Sequence, residues 1–478
     1  MENKINSDKL KVELFSVGEG FVMPSNKELE ALVKPWKCSA IIHFISGTIV
    51  GGGPTVKYWG VENTLRRIAA ENNINYALVS KSPIGDSLSG KTIMPEVLVS
   101  PSQNDWNYLY KFWGNTVKNV VEQTVKSGYQ NILVFSEGYT AFVPLGVQNA
   151  FKTLPFESTP NIRMITRDSS LPDLPYNKWG GRFNPDAFST SRKRDKLLES
   201  FFITNAGVPI AYKAYSKPEI KPRIPKGCTV IDTAFPFLDE DIKLIRNVDN
   251  WYVNQLTKCN DFMVKEILSK VNEGFTPISW LTNGEIFDKE ANWMTKEQKE
   301  SSYKALRKLV ISTAQLSERK DQKIVLILPG EAINDAQTYL NSYQRIKNIK
   351  ISTYPYRSPN LTRKTIIAFD YLVGTKGILV GRTAQTNAIY QALLMPKTRV
   401  CVLTAPSVGY MNTTTTDPLF TNVGIPVETA ESQSSKIYNM LERTLNTFNP
   451  NPLSELIKNN SFYECVSILC GLKTDKII

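Results

Sequence analysis

The residues best suited to chemistry lie between positions 376 and 396, KGILVGRTAQTNAIYQALLMP, where an apolar strand runs into a glycine-threonine turn and then a helix. Ile378–Val380 lacks the polar alternation of a half-exposed strand and reads as interior to a parallel sheet. A helix opening after Gly381 begins with amides that have no partner inside it, and Thr383, Thr386 and Asn387 are side chains that cap or line such an end. Free amides and the helix dipole together hold an anion. Arg382, beside the turn, could neutralise a diphosphate. Asn283–Gly284 and Arg357 end two other strands of the same half and could reach the same anion across a crevice; Arg357 also reads as ordinary surface charge. On its own the segment equally suits a generic βαβ unit.

Three candidates could move a proton. His43 is the sole histidine, and its place inside the apolar AIIHFIS strand also marks it as a core residue. Glu137 follows the strand Asn131–Ser136 at the carboxyl edge, where open α/β sheets place ligands, and is the preferred carboxylate. Asp86, in the loop SPIGDSLSG, is the alternative; either acid could simply cap a turn. Gly51, Gly52 and Gly53 sit between a strand and a helix and allow a ligand or another domain to approach the backbone. GTIVGGG is neither a Walker loop nor GxGxxG, which disfavours ATP hydrolysis and hydride transfer.

Elements must position these groups. At 478 residues the chain can bury two cores, and a boundary near Gly274 divides it into residues 1–273 and 274–478. Ala40–Ser46, a helix to Glu71, Asn75–Ser80, a helix over Trp106–Ser127 and Asn131–Ser136 alternate in the manner of a parallel sheet. Positions 161 to 223 give no confident element, Gly227–Ala234 restores a strand, and Asp239–Val271 reads as one long helix. The second half repeats strand and helix four times, the pattern of a doubly wound sheet.

Six scattered cysteines with no CxxC pair argue against disulfide scaffolds and zinc sites, and no metal is expected. No apolar run reaches the length of a membrane span, and MENKINSDKLK lacks the apolar core of a secretion signal, so the cytoplasm is the expected compartment. The net charge of +12 suits a phosphorylated substrate, an anionic membrane surface or nucleic acid. Its densest runs, Arg192–Lys196 and Lys213–Lys226, lack interleaved aromatics, which disfavours nucleic acid.

The order of motifs resembles the GT-B glycosyltransferases, which place two Rossmann-like doubly wound domains across a cleft. Leu281–Gly284, Lys323–Gly330, Ile351–Arg357 and Gly381–Pro396 are similar to the family's successive donor-side turns, and Asp417 and Val423–Val427 to its acidic loop and returning segment. The resemblance implies a metal-independent glycosyltransferase whose co-substrate is a nucleotide-sugar, a UDP-sugar being the expected donor, with an unidentified acceptor on the N-terminal side. The family's ribose-gripping acid is absent from the last helix; Gln391 is the nearest polar replacement. Two other functions are consistent with the same residues: a nucleotide-sugar 2-epimerase, and a basic non-enzymatic protein that binds nucleic acid or membrane.

Overall fold

The computed structural model describes residues 12–19, 36–45, 53–80, 84–86, 91–93, 97–98, 106–137, 161–167, 228–233, 239–282, 284–287, 296–343, 348–355, 361–382, 387–404, 424–448 and 462–472, with isolated positions at 27, 30–31, 147, 149–150, 153–155 and 160. The apolar runs marked by the sequence assemble into two separate sheets. In chain order the first lobe contains β1 (Val12–Glu19), β2 (Ala40–Ile45), α1 (Gly53–Glu71), β3 (Asn75–Ser80), a hairpin of β4 (Ile84–Asp86) and β5 (Lys91–Ile93), β6 (Val97–Leu98), α2 (Trp106–Lys126), β7 (Asn131–Glu137), β8 (Asn161–Arg167) and β9 (Cys228–Thr233). Seven of these strands form one sheet in the order β6-β3-β2-β7-β8-β1-β9, with every neighbouring pair parallel.

Three helices then carry the chain onward: α3 (Asp239–Arg246), α4 (Tyr252–Thr257) and α5 (Phe262–Asn272). The sequence suggested one continuous helix here. It breaks because Asp261 adopts extended backbone and accepts the Val264 N–H at 3.1 Å, which starts α5 afresh.

The second lobe runs β10 (Thr276–Leu281), α6 (Lys296–Lys320), β11 (Ile324–Leu328), α7 (Ile333–Asn341), β12 (Ile349–Thr353), α8 (Arg363–Lys376), β13 (Ile378–Gly381), α9 (Asn387–Leu394), β14 (Val400–Thr404), β15 (Val427–Thr429), α10 (Ser434–Asn446) and α11 (Phe462–Leu469). Its six strands are all parallel, in the order β12-β11-β10-β13-β14-β15. This is the doubly wound arrangement: the chain winds outward from β10 in one direction, returns, and winds outward in the other. The reversal falls between β10 and β13. In the first sheet the corresponding reversal falls between β2 and β7.

Burial follows from that topology, because central parallel strands need cover on both faces. One face of the first sheet packs on α2, and one face of the second packs on α6, α7 and α10. The remaining faces of both sheets share a single apolar cluster in which Val61 and Leu65 of α1 meet the same core as Ile389 and Leu393 of α9. Helices α1 and α9 touch.

The final helix, α11, packs on the first lobe although its sequence adjoins the second. Phe462 meets Phe135 of β7 edge-on at 6.0 Å, and α11 also contacts α1. At its end, the Leu469 carbonyl accepts Arg163 Nη1 at 2.5 Å and Trp36 Nε1 at 3.2 Å, while the Arg163 guanidinium lies 4.5 Å from the Trp36 ring. Arg163 is 1% exposed, so these partners compensate a buried charge that would otherwise be costly. Gly471 follows at φ 72, where an added Cβ would lie 1.6 Å from the Trp36 carbonyl oxygen.

Candidate functional site

The carboxyl ends of β10 and β13 form the switch point of the second sheet, the position at which open α/β sheets present ligands. Leu281 and Gly381 are the last paired residues, and Thr282 and Arg382 leave the sheet side by side. Their main chains are fixed: Arg382 N–H donates to the Leu281 carbonyl at 3.4 Å, and Thr282 N–H donates to Tyr354 Oη at 3.1 Å. Their side chains are not satisfied in the same way. Among the described residues, neither Arg382 Nε nor Thr282 Oγ1 has a hydrogen-bond partner, and both atoms are buried.

Arg382 is only 7% exposed. Burial alone lowers its guanidinium pKa to about 10, so at neutral pH it remains a desolvated cation. Such a group is stable only beside compensating charge or acceptors. Its chemical complement is an oxyanion, and five residues further along the chain α9 begins with amides that can have no partner inside the helix.

Gly381 thus ends β13 as a buried strand residue, and Arg382 and Asn387 flank the turn that the sequence singled out. Thr383 and Thr386 lie outside the described residues, as do Asn283, Arg357, Asp417 and both basic runs. Gly284 opens a single 3₁₀ turn, Gly284–Phe287, directly after β10.

Gln391 departs from its expected role as a ribose ligand. It is 1% exposed, and its Nε2 donates at 2.8 Å to Asp370 Oδ2 on α8, itself 1% exposed. A side chain committed to a buried carboxylate has no surface to offer a sugar; its effect is to tie α9 to α8. Replacing Gln391 with Leu removes a charge-assisted hydrogen bond from a buried acid, and is expected to cost about 1–3 kcal/mol in urea unfolding.

The first sheet places its candidates differently from one another. Glu137 is the last residue of β7 and pairs in register with Ile45, the last residue of β2, so it stands at the first sheet's own switch point. His43 lies two residues short of that edge, is 0% exposed, shares a 3.1 Å hydrogen bond between Nδ1 and Tyr76 Oη, and meets Phe135 edge-on at 5.6 Å. Its enclosure in the core removes it as a base for a bound substrate. Asp86 sits on the β4–β5 hairpin opposite Lys91 rather than in a loop. Gly53 is the first residue of α1, and Gly51 and Gly52 lie outside the described residues. Since α1 leaves β2 and α9 follows β13, their contact brings together the helices that leave the two switch points.

Sequence reasoning missed Thr282, Tyr354 and Asp370. Thr282 and Tyr354 acquire meaning only from the tertiary structure: Thr282 follows β10 at the switch point, and Tyr354 follows the edge strand β12, from which its hydroxyl accepts the Thr282 N–H. Asp370 did leave a signal: it is the single acid in the apolar helical run IIAFDYLV. Among the described residues no group of three His, Cys, Asp or Glu is placed to hold a metal ion, and no helix is long and apolar enough to cross a membrane.

The two all-parallel sheets make this an α/β protein of the doubly wound class, with a switch point on each sheet. No protein family's sequence profile matches the chain. No curated protein sequence matches it either. Solved structures do: UDP-GlcNAc 2-epimerase from Methanocaldococcus jannaschii is 12% identical, with 90% of this chain and 98% of that one covered and a TM-score of 0.48. A trehalose-6-phosphate protein from E. coli bound with UDP-2-fluoro glucose is 10% identical, with 92% and 100% covered and a TM-score of 0.49. The glycotransferase of kitacinnamycin is 11% identical, with 91% and 100% covered and a TM-score of 0.40. These likenesses concern the path of the chain.

Proposed function

We propose that the protein is a nucleotide-sugar enzyme that holds the donor's diphosphate at the switch point of its second sheet and transfers the sugar to an acceptor resting on the first. The observation that carries this reading is the buried guanidinium of Arg382, whose Nε has no partner among the described residues at the place where a doubly wound sheet presents its ligand. Arg382 donates to the phosphates, and the amides at the start of α9 face the charge that grows on the leaving diphosphate. Glu137, at the other switch point, is the proposed base for an acceptor hydroxyl. The donor base proposed for the first trial is uracil, as the sequence resemblance implies.

The test is a thermal-shift panel of UDP, GDP, ADP, CDP and TDP with the corresponding sugars, followed by turnover assays on whichever donor binds. One diphosphate is expected to raise the unfolding midpoint, and its sugar to be consumed when an acceptor mixture is supplied. Inversion of the sugar at C2 without net nucleotide release would replace transfer with epimerisation at the same site. Absence of any shift with all five diphosphates, together with steeply salt-dependent RNA binding, would overturn both enzymatic readings.

A further inference from the structure

Two cysteines far apart in sequence meet where α11 docks on the first lobe. Cys38 lies just before β2, and Cys470 directly follows α11. The Cys38 N–H donates to the Cys470 carbonyl at 3.0 Å, and the Cys38 Sγ, which donates to the Ala40 carbonyl at 3.1 Å, is close enough to the Cys470 thiol to act on it electrostatically. A main-chain hydrogen bond of this length keeps the two Cα atoms within about 7 Å of each other, the separation beyond which a disulfide cannot close without moving the backbone.

The surroundings hold the pair in place. On either side, Trp36 Nε1 reaches the Leu469 carbonyl and Gly471 abuts the Trp36 carbonyl, so the two segments are packed too closely to slide. Cys38 is 3% exposed and Cys470 is 0% exposed. Cys465, one turn earlier on α11, is also buried, and all three are free thiols here.

We propose that Cys38 and Cys470 are a dithiol pair that a small peroxide converts to a disulfide, fastening the returning C-terminal segment to the first sheet. The reaction balances without a further reactant. One sulfur, having lost its proton, attacks a peroxide oxygen; the O–O bond breaks, and the departing hydroxide takes up that proton to leave as water. The resulting sulfenic acid is attacked by the second sulfur, the S–O bond breaks, and the oxygen leaves with the second thiol's proton as another water. Two thiols and one hydrogen peroxide thus yield one disulfide and two waters.

The neighbouring Cys38 side chain and then burial hold the Cys470 thiol well above the usual range, which keeps it protonated while α11 is docked. Oxidation therefore waits on brief undocking of the helix end, and the bond forms as the helix returns. Once made, it encloses almost the whole chain in a single covalent loop.

The experiment exposes the folded full-length chain to hydrogen peroxide, quenches, and maps cysteines by mass spectrometry under non-reducing conditions. Two of the six thiols should disappear, with a Cys38–Cys470 peptide pair recovered and a faster, dithiothreitol-reversible band on a denaturing gel. The band should be absent in C38A and in C470A and kept in C465A. Six surviving thiols, a bond from either residue to Cys465, sulfinic or sulfonic acids without the pair, or cross-linked dimers alone would each overturn the proposal. The peptide map of the unmutated chain decides the matter even where an alanine variant folds poorly.

Discussion

Replacing Arg382 with Met is expected to raise the stability of the unliganded protein by roughly 1–3 kcal/mol while abolishing its stabilisation by a nucleoside diphosphate. The first effect follows from desolvation: the guanidinium is 7% exposed, and its Nε has no partner among the described residues. Burial lowers its pKa to about 10, below the ordinary guanidinium value. Above pH 10 and up to the unfolded value, the unfolded chain holds a proton that the folded chain has shed, so raising pH through that window relieves the penalty. Below pH 10 both states carry the charge and the penalty is complete, so it is felt in full at neutral pH. A methionine of similar length fills the space without the charge.

The second effect follows from losing charge-assisted hydrogen bonds to phosphate, each worth about 1.5–3 kcal/mol. A ligand at a hundred times its Kd stabilises the wild type by about 2.7 kcal/mol, and a hundredfold weaker one leaves only a few tenths. Urea titrations with and without the diphosphate measure both quantities. If the Met variant is less stable when unliganded and still shifts with ligand, Arg382 is a structural residue and the donor site lies elsewhere.

Gly471→Ala should be far more damaging than its exposed-looking, near-terminal position suggests. The added methyl would lie 1.6 Å from a backbone oxygen of Trp36, which cannot swing aside as a side chain can, and the φ of 72 disfavours any side chain. The expected cost is about 4 kcal/mol or more, realised as undocking of α11. Gly424→Ala is the matched control: its φ is 68, but nothing lies within 4 Å, so only the backbone preference is lost, about 1 kcal/mol. Limited proteolysis should cut the Gly471 variant near residue 462 under conditions that leave the control whole. Equal resistance of the two would show that the contact with Trp36 yields easily.

Much of the second lobe was legible because its strands are buried on both faces and so read as unbroken apolar runs. Ile324–Leu328 and Ile378–Gly381 are of this kind. The first lobe hid five strands, the short β4, β5 and β6 and the longer β1 and β8. In β8, NIRMITR, an arginine interrupts the apolar run, and only the structure shows that Arg163 points its charge at a carbonyl from the far end of the chain. In β1, VELFSVGE, polar and apolar residues mix as in many surface segments, and its neighbours β8 and β9 lie far away in sequence. Neither signal is local.

The candidate site was legible to the same extent. Gly381 and Arg382 stood out because a strand, a turn and a helix follow one another along the chain. Nothing in the sequence says that β13 lies beside β10, and that adjacency makes Arg382 and Thr282 neighbours. Gln391 was misplaced because helical periodicity alone does not reveal that an acid on α8 faces it.

The return of α11 bears on how the protein is made. Strands β1 to β9 leave the ribosome early, yet the Leu469 carbonyl shared by Arg163 and Trp36, and the Phe462 ring that meets Phe135, arrive only when residues 462–471 have been synthesised. Until then the nascent first lobe lacks the Leu469 acceptor of a buried-type arginine and the Phe462 cover of an aromatic ring, the kind of incomplete surface that chaperones hold. Premature termination anywhere in the second lobe therefore injures the half of the protein that had already been translated.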